Sequence, residues 1–183
     1  MSERPKVAVV VGSARSGSIN QMLARALAKL AEDRLAFDFL PVGALPVYCG
    51  DLEADPPEVL WDIKARIEAA DGVLFVTPEH NRSIPALMKN AIDWASRPNR
   101  RNSWTGKRAA VCGTSPGARG ADMAQMHLRQ IVVPLGVEMM PQPEAYTPWR
   151  EGLIGPEGAF AEDADMKRHQ RFLEAFMAWI QPR

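Results

Sequence analysis

The sequence predicts an α/β fold: an open sheet of five parallel strands with helices on both faces. Two observations predict it. Continuous apolar runs, KVAVVV at residues 6–11 and GVLFVT at 72–77, read as strands covered on both sides. Stretches with apolar residues at helical spacing recur between such runs, and strands that alternate with helices make parallel β-α-β units. Right-handed crossovers then distribute the helices over both faces of one sheet.

The elements follow in order. Residues 19–33 carry Met22, Leu23, Ala26, Leu27 and Leu30 on one helical stripe, with a polar outer face. Residues 35–42 alternate like a second strand. The loop from 43 to 57 holds several Pro and Gly, and Asp55-Pro56-Pro57-Glu58 marks the start of a helix over 59–70. After the third strand at 72–77 come the polar loop PEHNRSIP and the helix ALMKNAIDWAS. Gly106-Lys107 opens a fourth strand, RAAVCG, which is followed by the loop TSPGARG and a helix over 121–133 that ends near Pro134. Gly136 leads to the last strand, VEMMP; residues 141–163, rich in Pro and Gly, read as irregular, and 165–180 as a closing helix. There is no repeat and no linker, so residues 1–183 are expected to form one domain.

Lys plus Arg equals Asp plus Glu at 22 each, whereas a nucleic-acid or anionic-membrane binder carries a basic surplus; neither partner is expected. Zero net charge also removes a barrier to self-association. The N-terminal apolar run is far shorter than the ~18 residues of a membrane span and lacks the form of a signal peptide, so the expected location is the cytoplasm. Cys49 and Cys112 are far apart and in no metal or redox spacing; Cys112, inside AAVCG, reads as a buried structural thiol. His127 and His169 have no Cys or carboxylate at ligand spacing, so no metal is expected. Glu162, Asp163 and Asp165 read as a solvated helix entry, where the macrodipole favours carboxylates.

In an open parallel sheet, ligands bind beyond the carboxyl ends of the strands, where the strand order reverses. Three loops leave strands there: GSARSGSIN, TPEHNRSIP and GTSPGARG. The first enters a helix, whose N-terminus offers free N–H groups and a partial positive charge to a phosphate. Ser13, Ser16 and Ser18 add hydroxyls, Asn20 an amide and Arg15 a guanidinium, and Gly12 allows the sharp turn. An ordinary helix cap accounts for one of these residues, not the group. The Lys of a Walker loop is missing, and only Gly12 and Gly17 stand where a dinucleotide fingerprint needs three glycines. A terminal monophosphate survives, and flavin mononucleotide (FMN) is the ligand such a sheet commonly takes. In the second loop, Ser83 reads equally as a cap of the next helix or as a ligand group. Lys89, Asp93 and Arg97 share a helix face and can pair, and Trp94 reads as core or interface ahead of a flavin stacker.

The blocks GSARSGSIN, TPEHNRSIPALMKNAIDWASRP and GKRAAVCGTSPGARGADMAQMHLRQIVVPLGVEMM resemble the NAD(P)H-dependent FMN reductase family, whose members include soluble quinone and chromate reductases. The long pattern PE-x-N-x-S-x-P-x-x-x-KN-x-x-DW-x-S-R carries most of the resemblance. It implies a flavodoxin-like fold and an enzyme that moves two electrons by hydride from NADPH or NADH, through FMN, to a quinone-type or other small acceptor, chromate and azo compounds included. By the same resemblance Ser13, Arg15, Ser18 and Asn20, with Gly17 and Ile19 of the same loop, would hold the FMN phosphate. Pro78, Glu79, His80 and Asn81 would border the ribityl chain and the ring, and Ser115, Pro116 and Gly117, after Thr114, would line the ring's other edge through their backbone. His80 stands where the family usually has Tyr, and Arg119-Gly120-Ala121 departs from the family's Gly-rich third loop. A homodimer or homotetramer is implied as well, and the residues add a hint: the methionines of 121–133 and the Arg/Trp content of 97–104 suit an interface, or for the methionines a core stripe. No residue is singled out as catalytic, since the cofactor carries the chemistry. The alternatives are a non-enzymatic flavodoxin-type electron carrier and a flavin-based redox sensor.

Overall fold

The structure, a computed structural model, describes residues 4–181. Its strands are β1 (Lys6–Val11), β2 (Ala36–Phe39), β3 (Gly72–Val76), β4 (Arg108–Ser115), β5 (Glu138–Met139) and β6 (Ala145–Pro148). Its α-helices are α1 (Ile19–Leu30), α2 (Glu58–Ala69), α3 (Ala86–Ala95), α4 (Asp122–Val132) and α5 (Asp163–Ile180). All pairings between these strands are parallel, in the order β2-β1-β3-β4-β5, with β6 also on β4. This is a flavodoxin-like order, the fold that the family resemblance implies. Its reversal lies between β1 and β3, so the loops leaving these two strands open on one crevice.

Alternation within the strands divides the core. Ala8 and Val10 of β1 with Val73 and Phe75 of β3 face Leu60, Ile63 and Ile67 of α2, Met88 and Ile92 of α3 and Leu128 of α4. Val7, Val9, Val11, Leu74 and Val76 face the opposite layer, Leu23 and Leu27 of α1 and Phe172, Leu173 and Phe176 of α5. A strand buried on both sides must be apolar at every position, which is why β1 and β3 stand out in the sequence.

Three expectations need correction. The second strand stops at Phe39, short of residue 42. Leu40 N–H still bonds to Val9 O at 3.0 Å, but Pro41 has no N–H to continue the ladder and the chain turns into a short 3-10 helix, Val42–Ala44. The last strand is split in two. β5 pairs with Arg108 and Ala109, β6 with Cys112 to Ser115, on the same side of β4. Pro141 and Pro143, without donors, lie in the gap, so part of the stretch expected to be irregular is strand. The acidic entry of α5 is not wholly solvated: Asp165 is buried and paired with Arg150. Trp94 is core, fully buried, with Nε1 donating to Pro46 O at 2.8 Å; Trp104, in the segment expected to suit an interface, is also buried.

Candidate functional site

Loop 1 begins where β1 ends. Gly12 N–H donates to Val76 O at 2.9 Å, and a Cβ at Gly12 would lie 3.1 Å from both Pro78 Cδ and Pro85 Cγ. A side chain at this position would push loop 1 off loop 2 by a few tenths of an ångström. Ser18 caps α1, its Oγ accepting from Gln21 N–H at 3.3 Å, while the Gln21 amide donates to Ser13 O at 3.0 Å. Arg15 is exposed and donates to Gly17 O at 3.2 Å; Gly17 takes φ +68 with open space beside it. The N–H groups of Ile19 and Asn20, in the first turn of α1, have no acceptor within the helix.

Asn20 points elsewhere than a simple phosphate ligand would. It is buried, donating to Thr114 O at 2.9 Å and accepting from Thr114 N–H at 3.0 Å, which joins loop 1 to loop 3 through a two-way amide contact.

Loop 2 leaves β3 at Thr77. His80 and Ser83 exchange both backbone hydrogen bonds at 2.9 Å, with Asn81 at φ 51 and Arg82 at φ 63 between them. Two positive φ values in a two-residue loop are those of a type I′ turn. Glu79 Oε2 accepts from Ala124 N–H on α4 at 3.1 Å. Ser83 Oγ lies 2.7 Å from His127 Nδ1, also on α4. Ser83 therefore does not cap the next helix: the N-cap of α3 is Pro85, with no side-chain bond. Farther along α3, Lys89 Nζ pairs with Asp93 at 2.7 Å.

Loop 3 leaves β4. Ser115 Oγ accepts from Ala121 N–H at 3.2 Å, and Arg119 binds the Asp122 carboxylate, holding it below the usual carboxylate range. Ser115 O accepts from Trp149 N–H at 2.8 Å, fastening the loop to the chain after β6. Gly113, just before the loop, is squeezed against β3: a Cβ there would lie 2.1 Å from Thr77 O.

The three loops enclose a cleft of about 370 Å³. Ser13, Arg15, Ser18, Ile19, Asn20, Pro78, Glu79, His80, Ser115 and Pro116 line it, together with Thr114. Gly17, Asn81 and Gly117 belong to the same loops but do not line it. Thr114 Oγ1 is buried with no hydrogen-bond partner among the described residues, which is costly unless a ligand supplies one. FMN fits these residues: a cleft of mononucleotide size, a helix N-terminus with hydroxyls and a guanidinium for the anionic end, and an orphaned hydroxyl in the wall. Sequence reasoning did not foresee the contacts of His127 and Ala124 with loop 2, because residues of α4 carry no signal for which loop they touch.

A family model described as NADPH-dependent FMN reductase matches residues 5–150. A 2-hydroxy-1,4-benzoquinone reductase of Burkholderia sp is 46% identical over 178 residues, 97% of each chain. The solved structure of FerB, a flavoenzyme NAD(P)H:(acceptor) oxidoreductase from Paracoccus denitrificans, is 49% identical, with a TM-score of 0.93 over 96% of this chain and 97% of that one. A flavodoxin, WrbA-like protein from Agrobacterium tumefaciens, 17% identical with a TM-score of 0.60 over 97% of this chain and 99% of its own, shares the fold.

Proposed function

The chain belongs to the NADPH-dependent FMN reductase family and is an NAD(P)H-dependent FMN oxidoreductase; from that premise we propose which of its residues hold the cofactor and what acceptor it serves. The acceptor is a quinone-type small molecule, the class named for its relatives. Those relatives carry reductase names, so the electron-carrier and redox-sensor alternatives give way. The observation that carries the site is the meeting of three loops at the sheet's switch point around a cleft whose wall holds an unpartnered hydroxyl.

When bound, FMN supplies the redox chemistry, accepting hydride from the nicotinamide and passing two electrons to the acceptor. The chain binds and orients. Ser13 and Ser18 would offer hydroxyls to the phosphate, the first turn of α1 would offer N–H groups and the positive end of its dipole, and the exposed Arg15 would add a charge that water still reaches. Thr114 Oγ1, buried without a partner among the described residues, would be available to the ligand. Pro78 and His80 would flank the ring, and Ser115 and Pro116 of loop 3 would border its other edge. Nothing in this scheme needs a covalent nucleophile.

A homodimer or homotetramer is the assembly we propose. Met123 and Met126 stand exposed on α4, contrary to a core stripe, and zero net charge leaves no repulsion between copies. The cytoplasm is the proposed location. Both cysteines are free, Cys49 exposed, as suits a reducing compartment, and among the described residues no helix is long and apolar enough to cross a membrane.

Arg15→Ala tests the phosphate site. The guanidinium is exposed, so its contribution is discounted for screening, and FMN affinity measured by flavin fluorescence should fall about tenfold with an unchanged circular dichroism spectrum. Unchanged affinity would remove Arg15 from the phosphate.

A further inference from the structure

We infer that Glu79 and the Ser83–His127 pair are positioning residues, a two-point brace that fixes loop 2 on α4 and supplies the cap α4 lacks. The inference rests on the flavin reading of the cleft. It begins with an oddity at the start of α4. The N-cap is Ala121, in the left-handed region at φ 65, and its methyl group can accept no hydrogen bond. The N–H groups of the next three residues have no acceptor within the helix. Met123 N–H turns to the Asp122 side chain at 2.8 Å. Ala124, at the third position, is one that a capping Ser or Asp would ordinarily serve. Here the acceptor is Glu79 Oε2 at 3.1 Å, carried in from loop 2. Its negative charge also meets the positive end of the helix dipole.

The second point lies one turn on. Residues 124 and 127 are three apart, so they share a face of α4, and His127 Nδ1 meets Ser83 Oγ at 2.7 Å. Between the two anchors, Glu79 and Ser83, stand His80, Asn81 and Arg82, the last two in the left-handed region that non-glycine residues enter at a cost. The brace holds this turn in place and so sets where His80 stands in the cleft wall. Because loop 3 runs directly into Ala121, it also joins loop 2 to loop 3, as Asn20 joins loop 1 to loop 3. The three loops become one frame that exists before any ligand arrives. Preorganisation of this kind raises affinity by lowering the ordering cost of binding.

A carboxylate acting as a cap differs from one acting on the ligand in what replaces it. The amide oxygen of Gln can accept from Ala124 N–H without the charge, whereas Ala cannot. FMN affinity by flavin fluorescence, and amide hydrogen exchange of the apoprotein over residues 79–83 and 121–127, should be measured for the wild type and for Glu79→Gln, Glu79→Ala and Ser83→Ala. The brace predicts that Glu79→Ala weakens FMN binding roughly threefold to thirtyfold, the span of a lost helix cap. Exchange should quicken in both segments at once. Glu79→Gln should restore both readouts to within about threefold of the wild type, since the cap acceptor is kept. A Glu79→Gln variant as impaired as Glu79→Ala, or a Glu79→Ala variant with wild-type exchange in 121–127, overturns the inference. Should Glu79→Ala fail to fold, the cycle of Ser83→Ala, His127→Ala and their double decides: equal, non-additive effects on exchange support the brace and additive ones refute it. A wild type that binds no FMN would instead undo the flavin reading, while the exchange measurements would still judge the brace.

Discussion

His169 is buried beneath Phe160, whose ring stacks on it at 4.2 Å, and both of its nitrogens are occupied. Nδ1 lies 2.8 Å from Asp165 O, which can only accept, so this nitrogen carries the proton and Nε2 faces Thr147 Oγ1 at 3.0 Å. Thr147 in turn bonds through its N–H to Gly120 O at 3.3 Å, so the imidazole supports loop 3 from behind. Burial lowers its pKa from the ordinary 6.5, against the opposing pull of the Asp165 carbonyl and carboxylate. Arg168 adds to the lowering, and Asp165 is itself bound by Arg150. Below about pH 6.5 the unfolded chain therefore holds a proton at this site that the folded chain resists. Stability contributed by the neutral ring is complete above that value and declines as pH falls through the window beneath it. A melting temperature that drops between about pH 7 and pH 5.5, with a shallower drop in His169→Gln, is the expected outcome; equal slopes would contradict it. At this scale the sequence is least informative. Asn20 and Glu79 are polar letters in polar loops, and nothing in the letters says that one grips the backbone of Thr114 and the other the backbone of Ala124. Of the loop 1 serines, the cap at Ser18 was legible because a helix N-terminus restricts what such a residue can do.

Among the elements, what could be read followed how completely each is buried. Past Lys6, the exposed first residue of β1, β1 and β3 are covered on both faces and have no polar residue to blur them, while β2 is half-exposed throughout and its pattern ran on past its true end. β6 is four residues, AYTP, with a Pro in it, a composition that reads as loop until its partner is known. Its pairing to Cys112–Ser115 is set by the tertiary structure. Gly113, on that same stretch of β4, lies hard against the Thr77 backbone just past the end of β3. The Cβ of Gly113→Ala would stand 2.1 Å from a backbone oxygen, which cannot rotate away. A Cβ at Gly72 would meet chiefly the Ile180 side chain at 2.5 Å, which can shift. Gly113→Ala should therefore cost at least about 2 kcal/mol in denaturant unfolding and spread loops 2 and 3 enough to weaken FMN binding. Gly72→Ala should cost less. A Gly113→Ala protein as stable as Gly72→Ala would show that the two strands are not held as described.

For the whole molecule, one topological fact sets the rest. The chain goes from β1 to β2 on one side and returns to β3 on the other, and the crevice so formed receives loops 1 and 2, with loop 3 closing it from β4. Side-chain ties from Asn20, Glu79 and Ser83 then fasten those loops to one another. The fold was legible because alternating strands and helices permit few topologies, and the three-loop site followed from it. The central claim is that this cleft binds FMN and presents it to a nicotinamide. Stripped protein titrated with FMN should quench the flavin fluorescence to saturation at one flavin per chain, and anaerobic NADH or NADPH should then bleach the bound yellow colour, which a quinone restores. Protein that leaves FMN fluorescence unchanged at every concentration, or that binds it but is not bleached by either nucleotide, would contradict the account.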